Sequence, residues 1–370
     1  MNQSKLVPLV KVAMPPPELL MPALQEVLYS GMIAEGEHVY RFEKLFAEKF
    51  HLPNALATSS GTAALHIALL LAVVRPGDEV ITTSMTAEPT NTTILQVGAY
   101  PVFADVDPDT GNLDPEDVAA LVGAKTKAIV VVHYAGYPAR LDRLREIADA
   151  SGIALIEDCA HALGAKWQQR PVGTWGDFAI FSLQAIKHMT TVDGGILSMR
   201  DAGLLDQGRR LRWFGLAKGV PRTEVDIVAS GYKYNMHNVA AVIGNAQLAD
   251  IDTRLAAHIS NGREYDARLR NVRGLTPAHV CSDAEPTYWL YTLLADDAEA
   301  IERLMTSVGV SASKLHRPNH LHSVFAPYRR PMPGLERFYS RLVHLPCGWW
   351  ITEADREKII GTLLSWGGST

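Results

Sequence analysis

The stretch IEDCAHALGAKWQQRPVGTWGDFAIFSLQAIKHMTTVDGG (residues 156–195) combines buried-strand patterns with an acidic pair and one lysine. Three β-type segments lie in or across it: IALIEDC (153–159), DFAIFSL (177–183) and GGILSMRD (194–201). No helical pattern separates the last two, so we expect at least one of these strands to pair antiparallel. Lys187 lies between them, and burying an ammonium is costly unless it is paired or deprotonated. Its position therefore requires a chemical explanation.

Upstream of this stretch, short β-rich runs alternate with helical patterns. The β-type runs are NALATS (54–59), DEVITT (78–83), YPVFADV (100–106) and AIVVVHY (128–134). The helical patterns are GTAALHIALLLAVV (61–74), PTNTTILQVG (89–98), PEDVAALVG (115–123) and RLDRLREIADASG (140–152). This alternation predicts a mostly parallel sheet covered by helices on both faces, which is an α/β fold.

The pattern changes after about residue 245. Residues 244–272 predict one long helix, and the strand YWLYTLL (288–294) and the helices DAEAIERLMTSVG (297–309) and TEADREKIIGTLL (352–364) follow. We therefore expect a large domain over residues 1–250, with an N-terminal arm over 1–20, and a small C-terminal α+β domain over 251–370.

Composition limits the function classes. The net charge is −5 and basic runs are absent, which argues against nucleic-acid and anionic-membrane surfaces. The three cysteines are far apart and show no disulfide framework or zinc-ligand spacing. The N-terminal sequence lacks the pattern of a signal peptide, and the longest apolar run is too short to span a bilayer. The expected protein is reduced, soluble and cytoplasmic.

Three short motifs suggest ligand chemistry. In ATSSGTAALHI (57–67), Gly61 and Thr62 begin a helix whose N–H groups attract phosphate, although a plain helix cap is the alternative. Asp158 ends a buried strand at the ligand-binding edge of the sheet, where it faces a cationic nitrogen or caps the next helix. Lys187 is either a surface loop residue or an amine for Schiff-base chemistry, with Ser182 as a phosphate ligand.

Together these motifs match the needs of pyridoxal 5′-phosphate (PLP): a phosphate cradle, an anion at the ring nitrogen and an amine for the aldehyde. The chain also resembles the DegT/DnrJ/EryC1/StrS family of sugar aminotransferases. The resemblance lies in residues 59–70, 77–86, 98–118, 126–142, 156–195, 231–248 and 344–350. It implies fold type I of the PLP enzymes, which is aspartate aminotransferase-like, with a large mostly parallel seven-stranded-type sheet domain.

The resemblance also implies roles for individual residues. Lys187 forms the Schiff base and Asp158 keeps the pyridine nitrogen protonated. His161 lies beside the ring and its O3′, and the phosphate is held by Gly61, Thr62 and Ser182. Many relatives reach the partner subunit's phosphate with the asparagine of GYNYR, and the matching segment here is GYKYNM (231–236). Lys233 therefore either contacts that phosphate across a homodimer interface or is a solvated lysine.

Several positions depart from the family pattern. Ala87 replaces the aromatic residue that stacks on the ring, so Met85 or another side chain must cover that face, and Asp193 replaces a glutamate. The histidine-rich segment LHRPNHLHSVF (315–325) suggests a sugar-nucleotide site. Its candidate residues are His316, Arg317, Asn319, His320 and His322, and His188 next to the Schiff-base lysine joins the substrate-binding set. Metal binding is the alternative for the histidines, but no acidic or cysteine partner is near, so we expect no metal.

The expected reaction is a ping-pong transfer of an amino group from L-glutamate to a nucleotide-linked keto-deoxysugar. A 4-keto-6-deoxyhexose is the favoured acceptor. A dehydratase branch of the family has histidine in place of the Schiff-base lysine, so Lys187 favours transamination. A 3-keto sugar and a keto-cyclitol are alternative acceptors. A non-catalytic regulator with the same fold is a further alternative, against which the intact set of Lys187, Asp158 and Ser182 argues.

Overall fold

The computed structural model describes residues 6–367. Its strands are β1 (Ala55–Thr58), β2 (Glu79–Thr83), β3 (Tyr100–Ala104), β4 (Thr126–Val132), β5 (Ala154–Asp158), β6 (Lys166–Trp167), β7 (Arg170–Pro171), β8 (Phe178–Ser182), β9 (Gly195–Met199), β10 (Leu275–Pro277), β11 (Ala284–Glu285), β12 (Tyr291–Ala295) and β13 (Leu342–Leu345).

The helices surround these strands. They are α1 (Pro17–Tyr29), α2 (Glu37–Phe50), α3 (Gly61–Leu71), α4 (Glu88–Gln96), α5 (Pro115–Leu121), α6 (Leu141–Ser151), α7 (Leu205–Leu211), α8 (Asn238–Leu248), α9 (Ile251–Leu269), α10 (Ala298–Ser307), α11 (Pro333–Arg341) and α12 (Glu353–Gly367). Within residues 6–367, no helix is both long and apolar enough to cross a membrane.

The predicted seven-stranded, mostly parallel sheet is confirmed. Its strand order is β1-β9-β8-β5-β4-β2-β3. Strands β3, β2, β4, β5 and β8 are parallel, and β9 pairs antiparallel with both β8 and β1, as the missing helix between 183 and 194 predicts. The central strands are apolar on both faces, and β4 is buried over Ala128–Val132, because helices cover both sides of the sheet.

This topology brings the chemical motifs to one edge. Asp158 at the end of β5 pairs with Ile180 of β8, and Ser182 at the end of β8 pairs with Gly195 of β9. The carboxyl ends of parallel neighbouring strands meet at the same edge, where α/β folds bind ligands. The segment that carries Lys187 leaves β8 at this edge.

The prediction of one long helix over residues 244–272 is wrong. The chain forms α8 and α9, separated at Ala249 and Asp250. Asp250 has non-helical angles (φ −117°, ψ 5°) and precedes α9, a position that suits an acidic side chain because of the helix dipole. Apolar periodicity continues across the break, which is why the sequence pattern hides it. The break lies at the expected division between residues 250 and 251, and the division into two domains stays a prediction.

The C-terminal part contains the three-stranded sheet β10-β12-β13. The start of the described chain packs on it: the N–H of Val7 donates to the carbonyl of Gly309 (2.9 Å), and the N–H of Ser311 donates to the carbonyl of Val7 (2.9 Å). Residues 1–5 of the expected N-terminal arm lie outside the described residues. The part of the arm that is described therefore contacts residues that we assigned to the C-terminal domain.

Candidate active site

A cavity of about 340 Å³ lies at the carboxyl edge of the sheet. This volume is in the range of small-molecule sites. The predicted site residues that line it are Gly61, Thr62, Asp158, His161, Ser182, Lys187 and His316. Residues from α3, β5, the segment after β8 and the C-terminal part therefore meet around one space.

The Asp158 carboxylate is 4% exposed and has two hydrogen-bond donors. Its Oδ2 accepts from the Thr90 hydroxyl (2.9 Å), and its Oδ1 accepts from the N–H of Ala160 (3.1 Å). Burial raises the pKa of Asp158, and these two bonds and the charge of Lys187 oppose that shift. A buried carboxylate in this state favours a cationic partner, and a protonated ring nitrogen is such a partner.

Glu157, the other half of the acidic pair, points to the opposite face of the sheet because side chains alternate along a strand. Its oxygens accept from the N–H groups of Gly173 (2.7 Å), Trp175 (2.8 Å) and Gly176 (2.6 Å). The ring Nε2 of His133 lies 3.2 Å from Oε2. Glu157 therefore organises the loop before β8 and does not line the cavity.

Lys187 follows a short turn in which its N–H donates to the carbonyl of Gln184 (3.0 Å). Part of the side chain is accessible, yet burial around the amine lowers the pKa of Lys187 to about 7, while the charge of Asp158 raises it. The Nζ atom lies 3.9 Å from the centre of the Trp289 ring. A lysine with this pKa is present near neutral pH both as the ammonium and as the neutral, nucleophilic amine.

One wall of the cavity is a stack of three aromatic rings. The rings of His161 and Trp289 are parallel at a centroid distance of 4.0 Å, and His316 lies parallel to His161 at 5.6 Å. Burial and the charge of Lys187 lower the pKa of His161 well below its ordinary value and that of His316 to about 4. The Nδ1 of His161 accepts the N–H of Ala135 (3.3 Å), so the proton of this neutral ring is on Nε2.

The first turn of α3 has the features of a phosphate cradle. Ser60 caps the helix by accepting from the N–H of Ala63 (3.0 Å). Among the hydrogen bonds of the described chain, none uses the N–H of Gly61 or Thr62. A Cβ on Gly195 would lie 2.5 Å from the Ser60 carbonyl, and one on Gly61 would lie 3.1 Å from the Ser182 Cβ. Because α3 and the strand ends approach so closely, a side chain at position 195 would clash with the backbone, and one at position 61 would require Ser182 to shift by a few tenths of an ångström.

Several residues predicted for the site lie elsewhere. Met85 is fully buried in the apolar core, so it does not cover a ring in the cavity. His188 is buried with its Nε2 against the carbonyl of Thr287 (3.2 Å), and Asn319 is fully buried in hydrogen bonds to Asn91 and Thr86. Neither of these two side chains lines the cavity, because both are buried against the residues to which they are hydrogen-bonded.

Other predicted residues lie at the surface or beside the cavity. Arg317 and Lys233 are exposed, and neither lines the cavity of its own chain. The Nζ of Lys233 donates to the Asn235 side chain (2.7 Å). His320 contacts the Ser84 hydroxyl through Nδ1 (2.8 Å), and His322 lies 3.6 Å from Glu88.

Sequence reasoning missed several residues of the cavity, among them Trp289 and Thr90. Trp289 appeared only as part of the predicted strand YWLYTLL, and Thr90 only as part of a predicted helix. Ala87, at the position of the missing aromatic residue, does line the cavity, and Trp289 supplies aromatic surface there. The available signal for Trp289 was weak: a tryptophan at the beginning of a strand in the C-terminal part.

The model of the DegT/DnrJ/EryC1/StrS aminotransferase family matches residues 18–364. The chain is similar to the spore coat polysaccharide biosynthesis protein SpsC of Bacillus subtilis (strain 168), with 32% identity over 353 residues that cover 90% of this chain and 91% of SpsC.

Solved structures agree with that match. AtS13 from Actinomadura melliaura superposes with a TM-score of 0.94 at 37% identity, covering 98% of this chain and 100% of AtS13. The sugar aminotransferase CalS13 from Micromonospora echinospora superposes with a TM-score of 0.93 at 37% identity, covering 97% of this chain and 99% of CalS13. The open first turn of α3, the buried carboxylate and the low-pKa lysine around one cavity fit PLP. The chain belongs to the DegT/DnrJ/EryC1/StrS aminotransferase family and is a PLP-dependent sugar aminotransferase.

Proposed function

We propose that the protein transfers an amino group from L-glutamate to a nucleotide-linked keto-deoxysugar, with a 4-keto-6-deoxyhexose as the acceptor. The observation that carries this proposal is that the Lys187 amine and the Asp158 carboxylate line the same cavity. The reaction proceeds in two halves, so that the donor's keto acid leaves before the sugar enters.

The bound cofactor supplies an electron-accepting ring for the carbon that loses or gains a proton. With the cofactor bound, Lys187 would be the amine that holds it through its aldehyde group. As a free amine, Lys187 would move a proton to and from the reacting carbon as general base and acid. A pKa of about 7 suits both tasks near neutral pH, because amine and ammonium are then both populated.

Asp158 provides the fixed negative charge opposite the ring nitrogen. The bonds from Thr90 and Ala160 stabilise its ionised form against the cost of burial. On the other side of the cavity, the open N–H groups of Gly61 and Thr62 and the Ser182 hydroxyl bind the phosphate. These two sets of groups would hold the cofactor at both ends through complementary charge.

His161 is neutral in this environment, and its Nε2–H is a hydrogen-bond donor. We assign it to the ring oxygen O3′ beside Lys187. His316 lines the cavity, and its Nε2 is buried without a hydrogen-bond partner in the described chain. We assign this atom to a sugar hydroxyl, and we assign the exposed guanidinium of Arg317, next in the chain, to the nucleotide diphosphate.

We further propose a homodimer with a shared active site, in which Lys233 contacts the phosphate bound by the partner. Its exposed position outside its own cavity supports this role. Exposed apolar side chains near the N-terminus and in the segment before Lys233 supply a contact surface. They include Leu19, Met21, Leu28, Tyr29, Met32, Ile33, Phe214, Ile227 and Val228.

The acceptor is tested by giving purified enzyme and L-glutamate a panel of substrates. The panel holds 4-keto and 3-keto nucleotide deoxysugars and a keto-inositol, and NMR locates the new amine. Amination of the 4-keto-6-deoxy sugar, absent with Lys187→Ala, supports the proposal. Turnover of only the 3-keto sugar or the keto-inositol contradicts it.

The shared site is tested by mixing Lys187→Ala chains with Lys233→Ala chains after unfolding and refolding. Each variant alone is expected to be inactive or nearly so. A mixed dimer has one site with both lysines intact, so random pairing restores about a quarter of wild-type activity. Absence of recovery in a mixture that contains mixed dimers contradicts the shared site.

A further inference from the structure

The loop between β2 and α4 lines the cavity through Thr86 and Ala87 and continues into Thr90 of α4. The polar side chains of this loop and of the start of α4 are almost fully buried: Thr86 is 1% exposed, Thr90 4% and Asn91 0%. Enclosed hydroxyl and amide groups are retained at a cost unless they are fully hydrogen-bonded. The family resemblance assigned none of these three residues a role.

The hydroxyl groups of Thr86 in the loop and Thr90 in α4 form a chain with a defined direction. The Thr90 hydroxyl lies 2.9 Å from Asp158 Oδ2, and an ionised carboxylate can only accept. Thr90 therefore uses its single proton on Asp158. The Thr86 hydroxyl lies 2.9 Å from that of Thr90, so Thr86 must donate and Thr90 accept. Each bond polarises the next, which strengthens the one that ends on the carboxylate.

The loop is anchored from the C-terminal part by Asn319, which is 0% exposed. Its Nδ2 donates to the carbonyl of Thr86 (2.8 Å), and its Oδ1 accepts from Nδ2 of Asn91 (2.8 Å). Its backbone N–H also donates to the carbonyl of Ser84 (2.8 Å). A continuous set of contacts thus joins Asn319 to the catalytic carboxylate through Thr86 and Thr90.

We propose that Thr90, with Thr86 behind it and Asn319 anchoring the loop, is a positioning residue that keeps Asp158 ionised and aimed at the cofactor's ring nitrogen. This inference rests on the proposed role of Asp158. It replaces the expectation that Asn319 binds substrate with a role exerted through Asp158.

The first test compares Thr90→Val, Thr90→Ser and Thr93→Val. Valine keeps the shape and removes the hydroxyl, and serine restores it. Thr93 is the matched control, because it lies on the same helix, is 0% exposed and spends its hydroxyl on the carbonyl of Pro89. The readouts are the PLP dissociation constant of the stripped and retitrated protein and the pH midpoint of the holoenzyme's visible absorbance.

We expect Thr90→Val to weaken PLP binding by about tenfold and to shift the absorbance midpoint. Thr90→Ser should restore both, and Thr93→Val should change neither. Thr90→Ala replaces the valine variant if the latter does not fold. Equal values for the Thr90→Val and Thr93→Val proteins overturn the inference. Asp158→Asn is the reference: if it too leaves PLP affinity unchanged, the role of Asp158 and this inference both fail.

The second test asks whether Asn319 acts through Thr90. The PLP affinities of Asn319→Ala, Thr90→Val and the double variant form a mutant cycle. If Asn319 acts through Thr90, its substitution weakens binding in the wild-type background and has little further effect in Thr90→Val. Additive effects overturn this part of the inference. Asn261→Ala is the control, because this 4% exposed asparagine donates to the carbonyls of Cys347 and Gly348 and should leave PLP affinity unchanged.

Discussion

The two faces of the sheet at the end of β5 use neighbouring carboxylates in different ways. Glu157 and Asp158 are 0% and 4% exposed, so burial does not distinguish them. Glu157 receives three backbone N–H groups and lies against His133. Asp158 receives one hydroxyl and one N–H and lines the cavity. Strand alternation, which sends consecutive side chains to opposite faces, separates a structural carboxylate from a functional one.

The difference also bears on metal binding. His133, Glu157 and Cys159 lie close enough together to hold an ion. The polar atoms of the first two are already used: Nδ1 of His133 accepts from the N–H of Ala139 (3.1 Å), so its Nε2 carries the proton and donates to Glu157. A metal there would have to break this set of bonds. Proximity of ligand-type residues is therefore less informative than the number of donors each one already has.

The largest expected effect is that of replacing Asp158, the carboxylate that lines the cavity. Asp158→Asn keeps the shape of the side chain and removes the charge opposite the ring nitrogen. We expect kcat/KM to fall by about a thousandfold, because charge stabilisation at the reacting ring is lost. Stability of the cofactor-free protein should be unchanged or higher, because burial raises the pKa of Asp158 and the ionised form is costly. Steady-state kinetics and thermal unfolding measure the two effects.

Glu157→Gln should lower the stability of the protein and leave cofactor affinity nearly unchanged, which is the opposite of the result expected for Asp158→Asn. The amide has one acceptor oxygen and turns an NH₂ group toward at least one of the backbone N–H donors. We expect the free energy of unfolding to fall by about 2–4 kcal/mol, measured by denaturant titration. Cofactor affinity of the folded fraction should change far less than in Asp158→Asn. A stable protein with Asp158-like loss of affinity would contradict the structural assignment of Glu157.

The comparison also shows how far sequence reasoning reached. The strand that carries Glu157 and Asp158, the lysine at 187 and the glycine at 61 follow from local patterns and the family motif. Strand alternation places the two carboxylates on opposite faces of the sheet. It does not show which of the two faces holds the cavity. That depended on long-range packing.

Long-range packing also explains why the sequence analysis missed some residues of the site. Thr90 meets Asp158 and Trp289 meets Lys187 only in the folded chain, since 68 residues separate the first pair. Met85 was expected at a ring and is instead enclosed in the core. Asn319 was expected to bind substrate, but its side-chain amide is hydrogen-bonded to the Thr86 carbonyl and to the Asn91 side chain. The sequence alone does not show whether a polar side chain in a motif binds a ligand or the protein's own backbone.

The unfolding free energy of the cofactor-free protein should depend on pH through Lys187, which lines the cavity together with Asp158. The folded pKa of Lys187 is about 7, below that of an unfolded lysine. From about pH 7 to about pH 10 the unfolded chain therefore binds more protons, and the stability of the cofactor-free protein rises with pH. Replacing the lysine by methionine (Lys187→Met) should reduce this slope by up to about 1.4 kcal/mol per pH unit. Identical slopes of unfolding free energy against pH would contradict a lowered pKa of Lys187 in the folded protein.

The smallest expected effect tests the partner of Glu157. His133→Asn keeps an acceptor for the N–H of Ala139 and removes the donor to Glu157, which retains its three backbone donors. We expect a loss of about 1 kcal/mol in unfolding free energy and unchanged PLP affinity, because the carboxylate remains well hydrogen-bonded on the far face of the sheet. His133→Gln is the matched variant, since its amide keeps a donor near Glu157 and removes the acceptor for Ala139. If either variant weakened PLP binding as strongly as Asp158→Asn, the two faces would be coupled, and the separation of structural from functional carboxylate would not hold.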